Sequence, residues 1–163
     1  MSATVVTAKP AGTAVRRDLR ELAPRFAAAL AHGLNQARWA GYDAVVFEAH
    51  RTRERQRALY AQGRTTPGAI VTHAASELYS WHGYGLAVDV VSRARLWNVP
   101  ESWYRAVAEH LIAAGLDWGG DWPSFRDLPH FQWGRLKSRP SDRARELIAS
   151  GGLAAVWKEV GAL

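Results

Sequence analysis

The stretch Ser80-Trp81-His82-Gly83-Tyr84-Gly85-Leu86-Ala87-Val88-Asp89 combines a histidine, two glycines and an apolar run that reaches a carboxylate. The run continues through Val90 and Val91, which indicates a short buried strand. A carboxylate inside such a strand is costly to bury without a partner, and a metal ion would be one. Glycine permits backbone conformations that other residues avoid. The glycines between His82 and the strand therefore allow the side chains of His82 and Asp89 to turn toward one point.

A second motif lies downstream, at Asp127-Leu128-Pro129-His130-Phe131-Gln132-Trp133. Pro129 disfavours a helical conformation for Leu128, so the motif is expected to form a turn that leads into a strand at 131–133. The turn could bring a second carboxylate and a second histidine toward the first motif.

Zinc accepts imidazole nitrogen and carboxylate oxygen, and a catalytic site usually has three protein ligands. His82 and Asp89 alone would more often be a buried ion pair beside a core strand. With His130 the three residues form a possible ligand set, and Asp127 could act beside them as a general base. We therefore expect one zinc ion at this site.

Four sequence blocks follow one another between Phe47 and Trp133. They are Arg51-Thr52-Arg53-Glu54-Arg55-Gln56 with Leu59-Tyr60-Ala61-Gln62-Gly63-Arg64-Thr65, Ser80-x-His82-x-x-Gly85-x-Ala87-x-Asp89, Trp118-Gly119-Gly120-Asp121-Trp122, and Asp127-x-Pro129-His130-Phe131. In these blocks the chain resembles the peptidoglycan L-alanyl-D-glutamate endopeptidases found among phage endolysins. Those enzymes are zinc metallopeptidases related to the D-alanyl-D-alanine carboxypeptidases.

The resemblance implies a role for individual residues. Asp127 corresponds to the catalytic base, Arg51 to an arginine that stabilises the oxyanion, and Ser80 to a serine that holds the substrate. The implied ligands of one zinc ion are His82, Asp89 and His130. The implied reaction is hydrolysis of a stem-peptide amide bond in peptidoglycan, between L-Ala and D-Glu.

Some positions leave the ligand set open. His50 stands where an aromatic residue is expected, and Gln132 stands where relatives often have Glu. His50, which could instead be a packed ring, and His73 are rival ligands, whereas His32 is expected to be a surface or packed residue of a helix. Trp118 is expected in the core, and Trp122 is left open between core and cleft.

Three other functions compete with the endopeptidase. A D-alanyl-D-alanine carboxypeptidase of the same family would need a cation for a terminal carboxylate, and the chain is rich in arginine. Two histidines and a carboxylate also form the iron site of non-haem oxygenases, although with closer spacing than that of His82 and Asp89. A non-catalytic wall-binding module would keep the zinc but lack the base, and Asp127 argues against it.

Length and composition limit the domain organisation, the metal-binding groups and the location that the chain can have. The 163 residues suffice for one compact domain, no cysteine is present to bind metal as thiolate, and no apolar run has membrane-spanning length. The net charge of +6 would suit a polyanionic partner but equally suits solvated helices. We expect a monomer that acts on peptidoglycan and not on nucleic acid. The start of the chain lacks signal-peptide features, so we expect cytoplasmic synthesis and a holin-type route to the wall.

The chain is predicted to be an α+β protein: an N-terminal arm over residues 1–14, then one domain over 15–163. A small antiparallel sheet would carry the zinc site, with helices on its flanks. Helices are predicted at 19–40, from the Thr52 cap to about 62, at 101–114, at 142–150 and at 153–160, and strands at 44–48, 70–72, 86–91 and 131–133.

Overall fold

A computed structural model describes residues 12–163, so most of the predicted arm at residues 1–14 lies outside the described residues. The helices of this range are α1 (Pro24–Trp39), α2 (Arg53–Ala61), α3 (Glu101–Ala113) and α4 (Asp142–Glu159). The strands are β1 (Ala44–Glu48), β2 (Ala87–Ser92), β3 (Leu116–Trp118) and β4 (His130–Trp133). The predicted α+β class, with one small sheet and flanking helices, is confirmed.

The strands of the described residues form one antiparallel sheet in the order β1-β2-β4-β3. The register of β1 shifts between Val46 and Glu48, so that Phe47 is an extra residue in this strand. As a result Glu48 lies opposite Asp89, and Asp89 in turn lies opposite His130 on β4. Three polar residues therefore form one row across neighbouring strands.

The hydrophobic core includes residues from β2 and from helices α1 and α3, which pack against each other. Val88 and Val90 are fully buried and flank Asp89 along the strand. Since side chains alternate between the two faces of a strand, the valines point away from the face that carries Asp89. Burial of one face of β2 thereby presents Asp89 on the other.

Local capping explains where several helices begin and end. The Thr52 side chain accepts a hydrogen bond from the Arg55 amide, as expected for the cap of α2. α4 is broken at Gly152, which has φ 68° and ψ −165°, and this confirms the predicted break between two helical segments. No helix among residues 12–163 is long and apolar enough to cross a membrane.

The prediction that the first helix begins at Leu19 is wrong. Leu19–Glu21 is a short 3-10 turn capped by Asp18, and α1 begins at Pro24. Proline favours the first turn of a helix because its missing N–H would have no intrahelical partner there.

The strand predicted at 70–72 is also wrong, because this segment lies in a loop. Ile70 and Val71 are half exposed, so their β-branched side chains are not packed in a sheet. β3 is not predicted from the sequence; it is a three-residue strand that lies at the edge of the sheet directly after Gly115.

Candidate metal centre

The fold brings His82, Asp89 and His130 together, as the sequence predicts. His82 lies in a 3-10 turn at Trp81–Tyr84, which ends at Gly85 in a left-handed conformation with φ 64°. That conformation favours glycine and directs the chain into β2. One ligand atom from each of the three residues lies within 4.8 Å of the others.

The His82 ring is held with one nitrogen free to bind a metal. Its Nδ1 lies 2.9 Å from the carbonyl oxygen of Ala49. Because a carbonyl oxygen can only accept, Nδ1 carries a proton, so that Nε2 is the nitrogen that a metal could bind. This Nε2 lies 3.3 Å from Oδ1 of Asp89. The Arg51 amide donates to the carbonyl oxygen of His82, so a second hydrogen bond joins His82 to the segment that contains Ala49.

The His130 ring is oriented by Gln132, which is fully buried. Gln132 donates its side-chain amide to the carbonyl oxygens of Leu136 and Lys137, at 3.3 Å and 3.0 Å. These bonds turn its Oε1 toward Nε2 of His130, 3.1 Å away. Nδ1 of His130 is then unprotonated and lies 3.9 Å from Oδ1 of Asp89. Gln132 thus performs the orienting role that a metal-binding histidine requires.

The two carboxylate oxygens of Asp89 face different partners. Its Oδ2 accepts a hydrogen bond from Nη2 of Arg51 at 3.2 Å, while Oδ1 faces the two histidines. Burial alone raises the pKa of Asp89, but the His82 ring, the Arg51 guanidinium and the His130 ring together hold this pKa well below its usual range. Asp89 is therefore ionised at neutral pH.

Burial, aided by the His82 ring, lowers the pKa of His130 to about 4. The neutral imidazole, which is the metal-binding form, consequently prevails at neutral pH. Two imidazole nitrogens and one carboxylate oxygen converge, and each ring is tied back through its other nitrogen. This donor set fits a zinc ion with three protein ligands and an open position.

The two rival histidines do not join this ligand group. His50 is half buried, and burial lowers the pKa of its ring. The His73 ring packs edge-on against Phe125, with 4.3 Å between centroids, at the border of the same cavity. Among the described residues, the group that could hold a metal ion consists of the three predicted ligands.

Asp127 lies in the loop before β4 and lines the same cavity as the three ligands. Its amide donates to the carbonyl oxygen of Gly119 at 3.0 Å, and its own carbonyl accepts from the His130 amide at 3.2 Å. Burial, reinforced by the negative charge of Asp89, raises the pKa of Asp127 to about 7. A carboxyl group with such a pKa can both accept and return a proton near neutral pH, although the charge of a bound metal would lower it.

The Trp118-Gly119-Gly120 block holds this loop in place. A Cβ atom on Gly119 would lie 2.6 Å from the carbonyl oxygen of Asp127 and 3.1 Å from Cβ of His130, so only glycine fits. Trp118 is buried, as predicted, and its indole N–H donates to the carbonyl oxygen of Leu128 at 2.7 Å. Asp127, the predicted base, and His130, a predicted ligand, are therefore both in contact with this block.

Arg51 lies in the site, and its side chain is held there by hydrogen bonds and ion pairs. It is 8% exposed, and its Nη2 contacts Oε2 of Glu48 at 2.9 Å as well as Asp89. Its Nη1 donates to Gln56 at 3.1 Å. Glu48 is a site residue that the sequence does not predict, because the bulge that places it beside Asp89 leaves no local sequence signal. The role of Arg51 in stabilising an oxyanion stays a prediction.

The cavity that contains these groups has a volume of about 840 Å³. Ser80 lies in its wall, immediately before the turn that carries His82, and its predicted role in holding substrate stays a prediction. Trp122 also lines the wall, with its ring 5.0 Å from that of His130. The other aromatic residues around the cavity are Phe47, Tyr79, Trp81, Trp97 and Phe125.

Comparison with known proteins finds sequence and structural similarities to peptidases of peptidoglycan. Residues 73–133 match a family model described as D-alanyl-D-alanine carboxypeptidase, and this segment contains the three predicted ligands and Asp127 but not Arg51. The chain is 37% identical over 103 residues to the peptidoglycan L-alanyl-D-glutamate endopeptidase CwlK of Bacillus subtilis. It is 30% identical over 121 residues to an L-alanyl-D-glutamate peptidase of Listeria phage A118.

These alignments cover only part of the relatives. The first covers 56% of this chain and 61% of the Bacillus protein, and the second covers 71% of this chain and 39% of the phage protein. Among solved structures, the L-Ala D-Glu endopeptidase ChiX of Serratia marcescens is similar with a TM-score of 0.53 and 25% identity, over 71% of this chain and 82% of that one. The comparisons thus confirm the predicted resemblance of this chain to the peptidoglycan L-alanyl-D-glutamate endopeptidases and the related D-alanyl-D-alanine carboxypeptidases.

Proposed function

We propose that the chain is a zinc-dependent peptidase that hydrolyses the amide bond between L-Ala and D-Glu in the stem peptide of peptidoglycan. The observation that carries this proposal is the convergence of His82, Asp89 and His130 beside Asp127 in one cavity. The similarity to two L-alanyl-D-glutamate peptidases supports this choice of bond.

The proposed reaction assigns one task to each side chain. When bound by the three ligands, zinc would supply a Lewis acid that polarises the amide carbonyl and acidifies water. Asp127 takes a proton from the attacking water and then returns it to the leaving amine. Arg51 donates to the developing oxyanion, and Ser80 holds the substrate beside it.

The first experiment is digestion of purified peptidoglycan with and without a chelator, followed by mass spectrometry of the products. New N-terminal D-Glu that disappears with chelator and returns with zinc would support the proposal. Intact peptidoglycan in the presence of zinc-loaded, folded protein would contradict it and favour a non-catalytic wall-binding module. Metal analysis separates zinc from the iron of a non-haem oxygenase.

A second candidate is a D-alanyl-D-alanine carboxypeptidase, because the matching family model carries that description. The same digestion distinguishes the two activities. A carboxypeptidase would release D-Ala from the end of the stem peptide and create no new N-terminal D-Glu.

Delivery and assembly belong to the proposal as well. We expect synthesis in the cytoplasm and action on the wall after release through a holin-type route, in line with the similarity to a phage peptidase. We also expect a single zinc ion for each monomer. Metal analysis tests the number of zinc ions, and the mass of the protein in solution tests whether it is a monomer.

A further inference from the structure

Helix α2 forms one wall of the cavity and presents a second arginine to it. Arg55, Leu59 and Gln62 line the cavity together with Arg51, which immediately precedes the helix cap. The spacing of four residues places Arg55 and Leu59 on one side of the helix, and Gln62 is its C-cap. The Arg55 side chain is only 15% exposed, so it is part of the wall and does not extend into solvent.

Arg55 is oriented from behind by Glu48. Nε of Arg55 donates to Oε1 of Glu48 at 2.8 Å, whereas the other carboxylate oxygen of Glu48 accepts from Arg51. Glu48 is 2% exposed and therefore holds both guanidinium groups at fixed positions. The two terminal nitrogens of Arg55 have no hydrogen-bond or ionic partner among residues 12–163.

The charges around this wall favour an anionic ligand. Arg51 and Arg55 share the single carboxylate of Glu48, and the other acidic partner of Arg51 is Asp89. Asp89 is itself a proposed metal ligand, so a bound divalent cation would leave the wall with excess positive charge. A guanidinium held through Nε can still offer paired N–H groups to a carboxylate.

We propose that Arg55 binds the free α-carboxylate of the substrate residue whose nitrogen belongs to the scissile amide bond. This inference rests on the proposed function. In the stem peptide, D-Glu continues the chain through its γ-carboxyl group, so its α-carboxylate is free and lies one carbon from the scissile nitrogen. Arg55 is then a specificity residue that distinguishes stem peptides with D-Glu from those with the α-amide.

A second arginine could compete for this role. Arg139 also borders the cavity, but it is exposed and has no ionic partner in the described part of the chain that would orient it. Arg57, on the same helix as Arg55, is exposed and does not line the cavity. Arg57 therefore provides a matched control, and Arg139 provides the competing assignment.

The test compares two synthetic stem peptides that differ only in the α-group of D-Glu, a carboxylate in one and a carboxamide in the other. The zinc-loaded protein is expected to cleave the carboxylate peptide with a kcat/KM at least about tenfold higher than that for the carboxamide peptide, as a charged hydrogen bond would provide. Arg55→Gln should reduce this ratio to about one, largely through KM for the carboxylate peptide. Arg57→Gln and Arg139→Gln should preserve the ratio.

A merely structural role for Arg55 would give a different result. Arg55→Gln would then slow cleavage of both peptides by the same factor and leave their ratio unchanged, which would overturn the inference. If only Arg139→Gln lost the preference for the carboxylate peptide, the carboxylate would be assigned to Arg139, which would also overturn the inference. If Arg55→Gln fails to fold, the ratio of the wild-type protein decides, because a value near one contradicts a carboxylate subsite. A wild-type protein that cleaves neither peptide refutes the proposed function, and this inference with it.

Discussion

Asp89 and His130 lie directly opposite each other on the antiparallel strands β2 and β4. This pairing brings Oδ1 of Asp89 to 3.9 Å from Nδ1 of His130. Because neighbouring side chains of a strand point to opposite faces, a register shift of one residue would turn one of the two ligands into the hydrophobic core. The proposed metal site therefore depends on the same pairing that holds the sheet together.

Replacement of the proposed base tests its role separately from metal binding. Asp127→Asn keeps the size of the side chain but removes its capacity to accept a proton. We expect the rate of peptidoglycan cleavage to fall by roughly 100-fold to 10,000-fold, the range typical of general acid–base catalysis. Zinc content, measured by metal analysis of the purified variant, should stay at the wild-type level. Cleavage at the wild-type rate with zinc bound would refute the assignment.

Removal of the buried amide beside His130 should weaken metal binding. In Gln132→Ala the imidazole loses the acceptor that fixes its tautomer and its orientation. The affinity for zinc is expected to fall about 10-fold to 100-fold, as measured by competition with a chromophoric chelator. The matched control is Gln36→Ala on helix α1, away from the cavity. Equal affinities of the two variants would contradict the orienting role of Gln132.

An added methyl group should disturb the loop that carries the base. In Gly119→Ala the new Cβ would lie 2.6 Å from the carbonyl oxygen of Asp127, so the loop must shift. We expect a loss of stability of about 1–3 kcal/mol and a lower kcat. Urea unfolding and peptidoglycan digestion measure the two effects. Wild-type values for both would show that the loop moves freely and does not position Asp127.

The raised pKa of Asp127 predicts a pH-dependent stability in the metal-free protein. Its pKa rises from 3.8 to about 7 on folding, so the folded state binds more protons than the unfolded state between these values. This contribution to stability is fully present below about pH 4 and is lost as the pH rises toward 7. The unfolding free energy of the wild type minus that of Asp127→Asn should therefore fall over this range, by about 1–3 kcal/mol.

Urea unfolding in the presence of chelator, at pH 4.5 and at pH 7, measures this difference. Subtraction of the variant removes the contributions of the ionisable groups that do not interact with Asp127. A difference that stays constant or rises with pH would show that the pKa of Asp127 is not raised by folding.

Several elements are predictable from the sequence because their causes are local. The Thr52 cap, the break at Gly152 and the apolar run of β2 depend on the side chain or backbone preference of a few neighbouring residues. The proposed ligands His82, Asp89 and His130 are predicted from their donor atoms and from the resemblance of the surrounding blocks to zinc peptidases. The structure brings these three residues together as predicted.

Other features depend on contacts between distant segments. The β-branched residues at 70–72 resemble a strand but lie in a loop, whereas the three residues of β3 form a strand because β4 pairs with them. The bulge at Phe47 sets Glu48 opposite Asp89 and beside both arginines. No periodicity within β1 indicates this arrangement.

The sequence by itself determined which chemical groups are available: two imidazoles, two carboxylates and an arginine, in blocks whose local conformations are set by glycine, proline and capping residues. Only the tertiary structure decided which nitrogen of each imidazole is free, which oxygen of Asp89 faces the metal position, and that Glu48 holds Arg51 and Arg55. The physical reason is that strand register and close packing select these partners from distant parts of the chain: Ala49 lies 33 positions from His82, and Arg51 lies 38 positions from Asp89.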